Sequence, residues 1–293
     1  MTRRAVGAVF LLTDYGTADE FAGVMRAVVQ RDAPGAPVID LTHEVAPFDV
    51  RAGALALSRA APHLGAGVVV AVVDPGVGTP RRAVAVLAGS LRFVGPDNGL
   101  LPWALDAVGG PRQAVALPGP PAGQAASTFD GRDVFAPAAA RLWRGAPLAE
   151  LGDDIDPAGL ERLAPPRLAV SPGMLEAEVQ WVDRFGNVQL AARPGDAARA
   201  GLGAEVGVTA GGSTHRARAA TTFALLPDGG LGLVVDANGH LALVCDRRSA
   251  ATVLAVRPGD IVTVQAAGDS GSAAGDSGSA GSTAVRADED AAP

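Results

Sequence analysis

The chain has 293 residues, of which 48% are apolar and 19% charged, with a net charge of −7. That leaves room for two domains with substantial cores and excludes wholesale disorder. Every basic residue is arginine and the one cysteine is Cys245, which excludes a Schiff-base or Walker A lysine, an internal disulfide and a cysteine-rich zinc site, and points to a reducing cytoplasm.

Met1-Thr2-Arg3-Arg4 ahead of the apolar segment 5–12 has the outline of an export signal. Thr13 and Asp14 end the run and no A-x-A site follows, so the segment is expected to be a buried first strand. Apolar runs at 37–41, 67–73, 84–88 and 91–94 mostly lack period-two alternation. Strands of that kind are covered on both faces, which predicts a mostly parallel sheet between helices. Helical spacing occupies 21–31, 49–60, 101–107 and 134–143, with Asp49 as an N-cap. This α/β N-terminal domain is expected over 1–165, followed by a proline-bearing linker at 166–173.

After the linker the texture changes. Short runs at 174–181, 188–191, 205–208, 215–226, 231–235, 241–245 and 261–265 alternate with Gly, Pro and Asp turns, among them Arg-Pro-Gly-Asp at 193–196 and again at 257–260. They predict a smaller antiparallel β-barrel C-terminal domain over 174–267. Residues 268–293 repeat Gly-Asp-Ser-Gly-Ser-Ala and close on Asp288-Glu289-Asp290, a composition expected to stay disordered. No apolar run approaches the roughly 20 residues of a membrane span. An acidic chain without basic runs is also a poor partner for nucleic acid.

Ligands of open α/β sheets sit beyond the carboxyl ends of the strands. Polar residues gather there: Thr13-Asp14-Tyr15-Gly16 with Asp19 and Glu20, Asp40-Leu41-Thr42-His43-Glu44, Asp74 to Arg81, and Gly95-Pro96-Asp97-Asn98-Gly99. Each aspartate alone suits a turn or a cap, whereas four carboxylates on one edge suit a hydroxylated or cationic substrate. Thr13 to Asp19 is similar to the D-T-D-x-G-x-D-D run of calcium-dependent nucleoside hydrolases, but Leu12 and Ala18 stand at two of its acidic positions. Too few hard oxygen ligands remain, and no metal is expected. His43, His63, His215 and His240 show no ligand spacing, and His43 is expected to tie down its own loop. Gly76-Val77-Gly78 lacks the third glycine of a dinucleotide fingerprint, and no G-x-S-x-G elbow is present.

Leu11 to Gly16, Val72 to Gly78, Gly95 to Gly99, Thr128-Phe129-Asp130-Gly131-Arg132-Asp133 and Asp183-Arg184-Phe185-Gly186-Asn187 occur in the order found in S-adenosyl-L-methionine (SAM) hydrolases. The chain resembles that family, also called SAM hydroxide adenosyltransferases and related to the SAM-dependent fluorinase and chlorinase, over about residues 6–266. The resemblance implies hydrolysis of SAM to adenosine and L-methionine without a cofactor, in a homotrimer that binds SAM between the N-terminal domain of one chain and the C-terminal domain of the next.

By the same resemblance, Asp14 holds the ribose hydroxyls, Asp19 and Asp183 face the methionine ammonium, and Phe48 packs on the nucleoside. Thr128 and Phe185 fall in the binding motifs, Asn187 reads adenine, and Asn238 sits in a polar turn over the ligand. Asp74 and Arg81 match the first two members of the family's Asp–Arg–His triad around the attacking water, and Asp74 stands where halogenases carry Tyr. The third member departs: the family has Thr-Phe-His-Gly-Arg-Asp, and this chain has Asp130 at the His position. Neutral histidine is a base near neutral pH, whereas an aspartate's reference pKa is about 3.9. The expectation is therefore slow hydrolysis, with a SAM- or adenosine-binding protein of negligible turnover as the alternative and halide transfer a weaker third.

Overall fold

Uninterrupted apolar strands need cover on both faces, and the first part of the chain supplies it. The structure, a computed structural model, describes residues 7–119 and 128–267, so the tail expected at 268–293 lies outside the described residues. The chain divides between Arg167 and Leu168 into two units.

The first unit runs β1 (Ala8–Thr13), α1 (Phe21–Asp32), β2 (Val38–Thr42), α2 (Val50–Ala60), β3 (Gly67–Val72), β4 (Ala83–Ala88), β5 (Leu91–Pro96), α3 (Pro102–Ala107), β6 (Pro111–Ala116), α4 (Ala136–Trp143) and β7 (Asp153–Ile155). The sheet order is β2-β1-β3-β5-β4-β6-β7. Strands β2, β1, β3, β5 and β6 point one way; β4 and β7 oppose them. Val9, Leu11, Val68 and Val70 pack with Met25 and Val29 of α1 and Leu142 of α4. Phe10, Leu12, Val69 and Ala71 face the other way, onto Leu57 of α2 and Leu105 of α3. Both faces are thus core, at roughly 1.5–3 kcal/mol for each large side chain buried. Asp49 caps α2, its Oδ1 accepting from the Ala52 amide at 2.8 Å, worth about 1 kcal/mol.

Strands β6 and β7 carry no sequence signal as strong as the others. β6 opens on Pro111 and holds Arg112 and Gln113, while β7 is a three-residue edge.

The second unit contains β8 (Leu168–Ser171), β9 (Met174–Val182), β10 (Val188–Leu190), α5 (Pro194–Ala200), β11 (Glu205–Ala210), β12 (Ser213–Ala219), β13 (Leu231–Val235), β14 (Leu241–Cys245), α6 (Ala250–Leu254) and β15 (Ile261–Ala266). The sheet order β10-β14-β13-β12-β11-β15-β9, with β9 pairing back to β10, closes a seven-stranded barrel. All its pairings are antiparallel except β12 with β13. Alternate residues such as Leu175, Ala177 and Val179, or Val206 and Val208, point into its core, and closure pairs each of these seven strands on both sides.

Three expectations need correction. The linker at 166–173 contains strand β8, paired antiparallel to β9 across the Pro172-Gly173 turn; proline beside a strand is compatible with an edge position. The run at 215–226 is not one strand: β12 ends at Ala219, and Phe223–Leu225 forms a short 3-10 turn. The first Arg-Pro-Gly-Asp is not a bare turn but opens helix α5, with Asp196 accepting from the Arg193 amide at 2.6 Å.

Candidate active site

The strand order reverses at β1, since β2 lies on one side of it and β3 on the other. That reversal is where open α/β sheets leave a crevice for ligands. Register pairs Thr13 with Val72, so the residues that follow, Asp14 and Asp74, leave neighbouring strands at the same edge. A third chain segment reaches it through Asp130, which precedes a wide helical turn at Gly131–Phe135 leading into α4. Wide turns of this kind are frequent at functional sites.

Arg81 joins the carboxylates. Its Nε lies 3.0 Å from both oxygens of Asp74, and its Nη2 bonds Asp74 Oδ2 as well as Asp130 Oδ2, the latter at 2.5 Å. The side chains of Arg81, Asp74 and Asp130 are only 12%, 5% and 16% exposed, so the pairing is weakly screened. The guanidinium also lies over the Phe135 ring at 5.5 Å. Burial works against its charge, but hydrogen bonds and attraction to Asp74 and Asp130 outweigh this and hold its pKa above the ordinary value.

The cluster opens onto a cavity of about 290 Å³ lined by Asp14, Tyr15, Phe21, Phe48, Asp74, Val77 and the 128–131 loop, at the small end of ligand-site sizes. Asp14 Oδ2 accepts from the Phe48 amide at 2.9 Å and has no other side-chain hydrogen bond among the described residues. Phe48 adopts a left-handed φ of 67° and is 71% exposed, a strained and solvent-facing pose for an aromatic side chain. Tyr15, Phe21 and Phe129 form an aromatic cluster with centroids 5.1–5.8 Å apart, Phe129 edge-on to both and Tyr15 tilted against Phe21. Another cavity, by α6 in the barrel unit, carries only Arg257 and Asp260 as charged groups.

Models of the SAM hydroxide adenosyltransferase N-terminal domain and C-terminal domain match residues 9–152 and 177–263. The chain belongs to this family. A curated protein named (R)-S-adenosyl-L-methionine hydrolase from Salinispora arenicola (strain CNS-205) is 48% identical over 256 residues, 87% of this chain and 96% of that protein. A crystal structure of an uncharacterized conserved protein from Thermotoga maritima superposes with a TM-score of 0.80 at 32% identity, covering 88% of this chain and 99% of that one. A protein named fluorinase from Actinoplanes sp. (strain N902-109) is more distant, 26% identical over 67% of this chain and 74% of its own length.

In this member of the SAM hydroxide adenosyltransferase family, Asp14, Phe48, Asp74, Thr128 and Asp130 line one cavity, with Arg81 bound behind it. Asp19 is exposed and not among the lining residues. Asp183, Phe185 and Asn187 share one loop of the barrel unit: Asp183 accepts from the Phe185 amide at 2.8 Å and from Asn187 through its amide at 2.9 Å and its Nδ2 at 2.7 Å. Phe185 is 79% exposed there. Asn238 belongs to a different turn, its amide donating to Asp236 at 2.8 Å.

Two of the four strand-end aspartates are structural instead. Asp40 pairs with Arg26, and Asp97 accepts from Arg82 Nε at 2.8 Å and from the Glu161 amide at 2.9 Å. His43 does anchor its loop, bonded to Thr13 Oγ1 at 2.8 Å. Tyr15 and Phe129 gained no role from sequence beyond lying inside quoted motifs, although adjacency to Asp14 and Asp130 was a usable signal. Among the described residues no His/Cys/Asp/Glu group could hold a metal, and no helix is long and apolar enough to cross a membrane.

Proposed function

We infer that this chain hydrolyses SAM to adenosine and L-methionine by attack of water or hydroxide at ribose C5′. The observation that carries the reading is the Arg81-bridged pair Asp74 and Asp130 beside Asp14, at the sheet's reversal point. A carboxylate-lined cavity complements a sulfonium substrate, and relatives named as hydrolases support the same chemistry. The leaving group is a neutral thioether, so no general acid, metal or cofactor is required. What the reaction needs is a water molecule held in line with the C–S bond, which supplies several kcal/mol, and a base, which supplies about 10²–10⁴-fold.

The residue roles follow the resemblance. Asp14 binds the ribose diol, Phe48 packs on the nucleoside, Thr128 and Phe185 belong to the substrate-binding motifs, Asn187 reads the adenine, and Asn238 sits in a polar turn over the ligand. Asp19 and Asp183 take the methionine ammonium. Asp74, Arg81 and Asp130 handle the water. Asp130 at the family's His position makes turnover slow, because aspartate is a weaker base near neutrality. A homotrimer with SAM shared between subunits, and a cytoplasmic location, complete the reading; sedimentation and cell fractionation test them.

Pure protein incubated with SAM is expected to release adenosine and methionine in equal amounts, scored by chromatography. Tight SAM binding in calorimetry with no adenosine after long incubation means a binding protein. A 5′-halo-5′-deoxyadenosine formed with chloride or fluoride means halide transfer, which Asp74 argues against. Asp130→His is expected to raise the rate; an unchanged or lower rate removes the weak-base account.

A further inference from the structure

Tyr15 follows Asp14 directly and forms part of the cavity wall. Its ring is fixed against Phe21 at 5.8 Å and edge-on to Phe129 at 5.6 Å. Its hydroxyl meets the backbone of Gly131, where a Cβ would come within 2.6 Å of the Tyr15 oxygen. Only glycine lets the Asp130 loop approach this closely. Among the described residues the hydroxyl has no hydrogen-bond partner, which is costly for a half-buried donor unless a ligand or water takes it. Burial first, then the charges of Asp14, Asp74 and Asp130, push the phenol pKa well above its ordinary value. The hydroxyl therefore keeps its proton and is a donor throughout the working range.

Arg81 directs its Nε and Nη2 donors to the two carboxylates, whereas the Tyr15 hydroxyl is a neutral donor on the cavity wall. An attacking water has four directions to fill: two O–H bonds, one lone pair for carbon and one lone pair left over. Asp74 and Asp130 are acceptors for the two protons. We propose that the Tyr15 hydroxyl donates to the remaining lone pair and so aims the attacking water at the sugar carbon. This role rests on the hydrolase reading. The C5′–O bond forms as the C5′–S bond breaks, the C–S electron pair leaves on the thioether sulfur, and one water proton passes to a carboxylate and then to solvent.

The test is Tyr15→Phe, which keeps the ring and removes the donor, together with a crystal structure of the wild type with 5′-deoxyadenosine, which lacks the 5′-oxygen that the attacking water becomes. The variant is expected to lose about ten- to a hundred-fold in kcat, with KM for SAM within about two-fold and an unchanged melting temperature. The crystal is expected to hold a water within hydrogen-bond reach of the Tyr15 hydroxyl and of Asp74 or Asp130. The two readings fail differently. A wild type that releases no adenosine removes hydrolysis, and the water position then decides Tyr15 alone. A variant kcat equal to wild type, a loss expressed only in KM, or a crystal whose Tyr15 hydroxyl contacts no water overturns the role of Tyr15.

Discussion

Aspartates close strands in both units, but the two regions use them differently. At the sheet edge of the first unit, Asp74 and Asp130 converge on a guanidinium from a loop between them, and Asp14 keeps one oxygen free of side-chain hydrogen bonds among the described residues. In the barrel, Asp183 serves the amides of Phe185 and Asn187 and the Asn187 side chain. Asp236 likewise serves the amides of Asn238 and His240 and the Gln189 side chain. The first arrangement holds charge at a cavity; the second builds a loop. The distinction lies in where most of the lone pairs go, because a carboxylate that accepts three bonds within its own turn meets a ligand mainly through its remaining acceptor site and its charge.

The strongest way to break this contrast is Arg81→Met. It leaves two poorly exposed carboxylates side by side without their cation, so adenosine release is expected to fall about 10²–10³-fold and urea-melt stability by about 3–5 kcal/mol. A variant that stays fully active would make the sheet-edge cluster a structural feature like its barrel counterpart. Gly131→Ala comes next. Its Cβ would press on the Tyr15 oxygen, Phe129 and the Met25 sulfur at 2.6–3.1 Å, and about 1–3 kcal/mol of stability should be lost along with kcat.

Asp183→Ala is expected to cost about 1–3 kcal/mol from the orphaned loop amides. Asp183→Asn separates loop building from ligand binding, since it keeps an acceptor but drops the charge. Stability should change by less than about 1 kcal/mol, while KM for SAM rises about tenfold if the charge meets an ammonium group. A KM that stays put would confine Asp183 to its loop.

The smallest effect belongs to the surface pair Asp106 and Arg162, bonded at 2.8 and 3.0 Å. The Arg162 hydrogen bonds, and secondarily its charge, hold the Asp106 carboxyl below the ordinary carboxylate range despite some desolvation. A depressed folded pKa gives stability that is present above the unfolded value of about 3.9 and disappears as pH falls through the folded value. With both side chains about half exposed, Asp106→Asn should cost under about 1 kcal/mol at pH 7. In urea melts that difference should shrink steadily as the pH is lowered below the unfolded value of about 3.9.

Strands β1 and β3 were legible because they are apolar on both faces, a pattern that few other structures tolerate. β6, β7 and β8 were not, since a proline start, a three-residue edge and a proline-flanked edge all depend on a neighbour for their identity. Arg-Pro-Gly-Asp shows the limit most clearly. Both copies bond aspartate back to the arginine amide, yet the first continues into α5 and the second into strand β15. Asp14, Asp74, Arg81 and Asp130 could be picked out because strand ends and ordered motifs mark them. Asp40 and Asp97 carried the same mark and proved to be held by Arg26 and Arg82.

Local patterning by itself determined the alternation of buried strands and helices, the change to barrel texture, and the set of acidic residues at strand ends, because periodicity and turn chemistry act over a few neighbours. Tertiary structure alone decided which of those acids share an arginine, which are consumed by their own loops, and that the Tyr15 hydroxyl meets Gly131. Those outcomes depend on strand order and register, which bring distant segments to one edge through long-range packing that no local stretch encodes.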